Sequence, residues 1–150
     1  VRTLHANAQA IAEACAQADL IIGAVLIPGA KAPRLLSRDQ LRTLRPGAAL
    51  VDISIDQGGC FETSRPTTHD APTYIEEGIV HYCVTNMPGA VARTSTYALN
   101  AATLPFVKAL ADRGPEAAMA ADPHLAAGLN IQQGQVKHPA VAEALLAQVA

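Results

Sequence analysis

Aromatic residues are scarce in this chain: two Phe, three Tyr and no Trp among 150 residues. The large apolar share of the composition is misleading, because 31 residues are Ala. Alanine buries little surface, so a core has to rest on Val, Ile and Leu. Charge is also thin, with 11 Lys and Arg against 13 Asp and Glu and a net charge of −2. Without a basic stripe, a nucleic-acid backbone is excluded as the partner. Long apolar runs are missing as well. The longest, Leu20 to Ile27, stops at Pro28 and falls well short of the ~20 residues a membrane span needs. There are three cysteines, Cys15, Cys60 and Cys83, at unrelated spacings. An odd number of that kind argues against a disulfide framework and for a reducing compartment. No charged-then-apolar signal segment opens the chain. Composition predicts a soluble, intracellular α/β chain, an enzyme or part of one.

The local signals alternate between helix and strand. Asn7 to Ala18 is Ala-rich and free of Gly and Pro, with Asn7 as N-cap and Ile11, Cys15 and Ala18 on one face. Leu20 to Gly23, Ala49 to Ile53 and Ile79 to Val84 are short apolar runs. They read as parallel strands, the first of them covered on both faces. Ser37-Arg38-Asp39-Gln40 is a capping box opening a short helix through Leu41 and Leu44, closed by Pro46-Gly47. The polar stretch from Gln57 to Pro72 is too long for a plain connector. Thr94 to Ala111 reads as a long helix with Leu99, Thr103, Phe106 and Leu110 on one stripe and a kink at Pro105. After Gly114-Pro115, helical pieces at Glu116–Ala121 and Pro123–Ala127, an extended Asn130–Val136 and a helix over Pro139–Val149 follow. Strand, helix, strand, strand is the order of an open α/β sheet with right-handed crossovers.

A doubly wound dinucleotide-binding sheet carries a Gly-x-Gly-x-x-Gly turn after its first strand, and no such run occurs here. The expectation is therefore the second half of a Rossmann-type doubly wound parallel sheet followed by C-terminal helices. Residues 1–93 form the partial sheet domain, and residues 94–150 form a helical segment packing toward a substrate domain.

In open α/β sheets ligands bind beyond the carboxyl ends of the strands, which singles out three clusters. Gly23 to Pro33 follows the first strand. Ser54 to Cys60 follows the second and contains Asp56, either a ligand-facing carboxylate or the cap of a turn. Asn86 to Ala90 follows the third, and Asn86 offers an amide donor and acceptor or serves as a turn residue before Pro88. Cys60, His69, His81 and Cys83 are metal-ligand types, with His81 and Cys83 on one strand face, but their spacing is looser than an ordered zinc site. No metal is expected, and no base is identifiable beside Cys60 to make it a nucleophile.

Several of these strings together resemble alanine dehydrogenase, of the alanine dehydrogenase/transhydrogenase NAD-binding family. They are Ala18-Asp19-Leu20-Ile21-Ile22-Gly23-Ala24-Val25-Leu26-Ile27-Pro28-Gly29-Ala30-Lys31-Ala32-Pro33, Val51 through Thr63 with its Asp56-Gln57-Gly58-Gly59-Cys60, Thr67-Thr68-His69, and His81 through Val91 with Arg93-Thr94-Ser95-Thr96. The likeness continues to Gly128-Leu129-Asn130 and covers almost the whole chain. It implies NAD as cofactor, reversible oxidation of L-alanine to pyruvate and ammonia, a homohexamer and a cytoplasmic location. Asp56 falls on the family's catalytic aspartate. Val25, Leu26, Ile53, Ser54, Ile55, Asp56, Arg65, Val84, Thr85, Asn86 and Met87 fall on its cofactor-contacting positions. Ala6 departs from a Ser common in the family. The family's catalytic His and its substrate-holding Lys and Arg have no counterpart here, so a C-terminal fragment, inactive alone, is the expectation. The alternatives are the NAD-binding subunit of proton-translocating transhydrogenase, or an inactive subunit that associates with an active one. Asp56-Gln57-Gly58-Gly59 and Thr67-Thr68-His69 favour the dehydrogenase.

Overall fold

Alanine has the strongest helix propensity, and the Ala-rich opening of the chain folds as α1 (Ala8–Ala16). Asn7 is the N-cap, its side chain accepting a hydrogen bond from the Ala10 N–H. Ile11 and Cys15 turn toward the core, as their spacing predicts, while Ala18 lies past the helix end. This is a computed structural model that describes residues 1–28 and 31–146. The strands are β1 (Leu20–Gly23), β2 (Ala49–Asp52), β3 (Thr73–Glu76) and β4 (Ile79–Tyr82), in the sheet order β1-β2-β4-β3. β1, β2 and β4 are mutually parallel, and β3 pairs antiparallel with β4. Between β1 and β2 lies α2 (Arg38–Leu41) with the expected capping box. Ser37 Oγ accepts from the Gln40 N–H, and Gln40 Oε1 accepts from the Ser37 N–H at 2.8 Å. Leu41 and Leu44 are both buried.

The core gathers on one sheet face, where Ile21, Leu50, His81 and Tyr74 stand in register. Leu36, Leu41, Phe61 and Ile79 fill it. The opposite face carries the row Leu20, Ala49, Val80 and Ile75. There Leu20 and Ile22 are 56% and 57% exposed and Ile75 74%. Of the two faces of β1 expected to need cover, the described residues cover one. Side chains alternate along a strand, and only the inward set of β1 meets the core. β2 also ends one residue early, because Ile53 opens a 3-10 turn (Ile53–Gln57).

β3 was not anticipated. It returns into β4 through Glu77-Gly78, both at positive φ (52° and 76°), the geometry of a two-residue hairpin.

Val1–Ile27 with Lys31–Met87 make one compact unit, which holds the sheet, and the described residues of Pro28–Ala30 and Pro88–Ala150 make a second. In the second, α3 (Ala92–Arg113) runs through Pro105 without ending. The expected stripe does not form a buried face: no residue of α3 is buried, and Leu99 and Phe106 are 66% and 42% exposed. α4 (Pro115–Ala121) and α5 (Pro123–Ala126) follow, with Asp122 capping α5 by accepting from the His124 and Leu125 N–H groups. The expected extended segment folds back on itself as β5 (Ile131–Gln132) and β6 (Gln135–Val136). α6 (Pro139–Leu146) closes the described chain, and the rest of the expected last helix, 147–149, lies outside the described residues. Among the described residues no helix is long and apolar enough to cross a membrane.

Candidate functional site

Because β1, β2 and β4 are parallel, their carboxyl ends share one edge of the sheet, where open α/β sheets bind ligands. A cavity of about 360 Å³ opens at that edge, and its wall includes Val25, Leu26, Ile53, Ser54, Asp56 and Gln57. Five of the residues singled out in the sequence are therefore brought together. Ser54 joins the two walls. Its hydroxyl accepts the Val25 N–H at 2.8 Å and donates to the Val25 carbonyl at 2.8 Å. Val25 thus faces the cavity with its N–H already engaged. The side chains of Ile55 and Val84, 4% and 0% exposed, belong to the core, which leaves them only backbone to present.

Asp56 is exposed at the cavity wall. The turn beneath it is closed by backbone alone, from the Gly58 N–H to the Ile55 carbonyl and from the Gly59 N–H to the Ser54 carbonyl, both 3.0 Å. Among the described residues its carboxylate makes no hydrogen bond or ion pair, so the capping alternative is set aside and the carboxylate is open to a ligand.

A second carboxylate, Asp52, went unnoticed in the sequence. It is fully buried and anchors the loop behind the cavity. It accepts the Cys60 N–H at 2.8 Å, the Ser64 hydroxyl at 2.5 Å and the Cys60 thiol at 3.5 Å. Gly59 makes room for this. Its φ is +77°, and a Cβ there would stand 2.8 Å from Asp52 Oδ2. Burial, and next the neighbouring Asp52 carboxylate, push the Cys60 thiol up to about 12, so Cys60 is no nucleophile.

On the β4 side, His81 and Cys83 share a face and are both buried. His81 Nδ1 lies 2.9 Å from the Ile79 carbonyl and Nε2 lies 2.7 Å from the Thr63 hydroxyl. A carbonyl only accepts, so Nδ1 bears the proton and Nε2 accepts from Thr63. Burial holds the imidazole below its ordinary range. No group of three or more His, Cys, Asp or Glu suited to a metal ion occurs among the described residues. Beyond β4, Thr85 donates to the Thr67 carbonyl at 3.2 Å and His69 Nε2 lies 3.1 Å from the Asn86 carbonyl. This fixes the stretch of Thr85, Asn86 and Met87 at the same edge but outside the cavity wall. Arg65 also lies outside that wall, with its guanidinium 3.8 Å over the Tyr74 ring.

The cavity is compatible with a nicotinamide ring. Val25, Leu26 and Ile53 give it apolar walls, and Gln57 contributes a buried Oε1 that has no donor among the described residues. A flat aromatic amide supplies both an apolar face and an N–H donor.

Fold and site together define an open α/β unit with a cavity at the carboxyl ends of its parallel strands and one exposed carboxylate, Asp56, on the cavity wall. Comparison with known proteins narrows the class. Residues 1–139 match the family model described as alanine dehydrogenase/PNT, C-terminal domain, and the chain belongs to that family. It is 62% identical over 144 residues to an alanine dehydrogenase of Halomonas elongata, a match covering 96% of this chain and 39% of the relative. Among solved structures, an L-alanine dehydrogenase superposes with a TM-score of 0.76 at 48% identity, over 97% of this chain and 40% of the other. A transhydrogenase from Sinorhizobium meliloti superposes with a TM-score of 0.54 at 30% identity, over 60% of this chain and 25% of the other. The chain thus spans about two fifths of the length of the alanine dehydrogenases it matches.

Proposed function

We propose that this chain supplies the cofactor-binding side of an NAD-dependent L-alanine dehydrogenase, which converts L-alanine, NAD and water reversibly to pyruvate, ammonium, NADH and a proton. The observation that carries the reading is the free Asp56 carboxylate on the wall of an apolar cavity at the strand ends, in a chain 62% identical to an alanine dehydrogenase. The transhydrogenase alternative has weaker support, in a likeness that reaches only 60% of the chain.

NAD, when bound, accepts a hydride from the substrate α-carbon. Val25, Leu26 and Ile53 would bound the ring and exclude water from its face. Gln57 Oε1 would accept its amide N–H. Asp56 would face the substrate nitrogen, where a carboxylate stabilises the positive charge that grows as the C–N bond gains double-bond character. The same carboxylate would take a proton from the water that then adds to carbon. Arg65, Thr85, Asn86 and Met87 would meet the remainder of the cofactor along the edge. The homohexamer and the cytoplasmic location belong to this proposal on resemblance, and the three free cysteines agree with a reducing compartment.

The test is Asp56→Asn in the full polypeptide that carries this sequence. Asn keeps the size and removes the charge. Turnover of L-alanine should fall by roughly 10²-fold or more, with NADH affinity changed far less. Near-normal turnover would reduce Asp56 to a surface residue.

A further inference from the structure

The Arg65 guanidinium lies 3.8 Å over the ring of Tyr74. The backbone N–H of Arg65 donates to the Tyr74 hydroxyl at 3.0 Å. That hydroxyl donates in turn to the Thr63 carbonyl at 2.8 Å. The other face of Tyr74 is held by His81, the centroids 4.8 Å apart and the planes 18° from parallel. His81 is itself fixed by Thr63 and Ile79, and it is wholly buried. A stack of three groups therefore runs from the core outward and ends in an exposed cation. The residue before that cation, Ser64, is fastened to Asp52, the last residue of β2, so the backbone that carries Arg65 is tied to the carboxyl end of β2. Among the described residues no carboxylate forms an ion pair with Arg65; the pairs belong to Arg38, Arg42 and Arg45.

An exposed Arg normally samples many rotamers, and binding an anion then means losing them. Here the side chain is laid flat on a ring that cannot itself move, with its charge unspent. We propose that Tyr74 is a positioning residue, holding the Arg65 guanidinium ready for the phosphates of a bound dinucleotide. This rests on the cofactor reading of the preceding subsection and adds to it a residue in contact with no ligand. Tyr74 acts through Arg65, first by its ring face and second by its hydroxyl.

NADH is titrated into the full polypeptide carrying this sequence, as wild type, Tyr74→Phe, Tyr74→Leu, Arg65→Ala and the Arg65→Ala/Tyr74→Leu double variant. Tyr74→Leu should raise Kd about 2- to 5-fold, the size of an exposed cation–π contact, and Tyr74→Phe by less than that. In the Arg65→Ala background Tyr74→Leu should add nothing. The dependence of Kd on salt should flatten alike in Tyr74→Leu and Arg65→Ala. In the wild type the Arg65 δ-protons should show an upfield ring-current shift, a readout that needs no variant to fold. Unshifted δ-protons, or an equal Tyr74→Leu effect with and without Arg65, would overturn the positioning role alone. A wild type that binds no NADH would overturn the cofactor reading, and this proposal with it.

Discussion

One hydroxyl joins the two walls of the cavity, and its removal has a size that can be worked out. Ser54 is 6% exposed, and its Oγ makes two 2.8 Å hydrogen bonds to the backbone of Val25, one accepted and one donated. Ser54→Ala removes both and adds nothing in their place. Each such bond is worth about 1 kcal/mol net, and a buried donor left without a partner costs about 1–3 kcal/mol. The Val25 N–H is part-buried beside the cavity, so water meets some of that cost, while its carbonyl loses only one of two acceptor sites. The expected loss is about 2 kcal/mol, near a 30-fold change in the unfolding equilibrium. Urea unfolding followed by circular dichroism measures it, as a lower midpoint at constant slope. Ser54→Thr keeps the hydroxyl and should recover most of the loss. NADH affinity should fall in the Ala variant too, because the β1 and β2 sides of the cavity are no longer held at fixed separation. A loss below about 0.5 kcal/mol, the scatter of ordinary surface substitutions, or a Thr variant no better than Ala, would refute the reasoning.

Three further outcomes are expected. A Cβ at Gly23 would stand 2.2 Å from Cys60 Sγ and 2.7 Å from Phe61 Cζ, both fully buried groups, so Gly23→Ala should destabilise by about 3 kcal/mol or more in the same urea assay; an unchanged midpoint would contradict the packing. The Cys60 thiol stands at about 12 in the folded chain against 9.0 for the free group, so its contribution to stability is complete below about pH 9 and is lost as pH rises toward 12; Cys60→Ala should flatten that alkaline decline, and an unaltered slope would count against it. Glu77 is held at about 2, against 4.5, by hydrogen bonds from Arg42 and then Arg38, so the stability it adds is present above pH 4.5 and is lost as pH falls toward 2; Glu77→Gln should blunt the acid limb of a pH-dependent melt, more at low salt than at high.

The elements legible in the sequence are those whose signal is local. Asn7 and the Ser37–Gln40 box each fix a helix start within four residues, and both caps form as read. The apolar runs of β1, β2 and β4 needed no partner to be seen. What periodicity could not report is how many faces are covered. A continuous run such as Leu20-Ile21-Ile22 looks the same whether one or both faces are packed, and here Leu20 and Ile22 stand open. β3 was hidden for a different reason. Thr73-Tyr74-Ile75-Glu76 is half polar, its outward Ile75 is 74% exposed, and its turn is Glu-Gly rather than the Asn-Gly or Asp-Gly that marks a hairpin. The alternation through Tyr74 and the glycine at 78 were the available signals.

The site divides along the same line. The stretches that hold Val25, Leu26, Ser54 and Asp56 could be picked out because the strand-end rule needs only sequence order, whereas Ile53, read as the end of the second strand, entered only through the family resemblance. The residues that hold them in place could not be picked out. Asp52 meets Ser64 across twelve positions, His81 meets Thr63 across eighteen, and Tyr74 meets Thr63 across eleven. Each of these polar groups is satisfied by a partner that only the folded loop brings near, and leaving any of them unsatisfied in the interior would be costly. That cost ties the Cys60–Thr67 loop to β2 and β4, and through it the exposed groups gain fixed positions. Asp56 stands above a turn closed by backbone alone. Arg65 rests on Tyr74, which rests on a histidine that cannot leave the core. Hydride transfer needs the cofactor and the substrate α-carbon held within a narrow range of distance and angle. Under the proposed function that demand would fall on buried polar groups one layer below the surface, where a substitution would cost orientation and stability together.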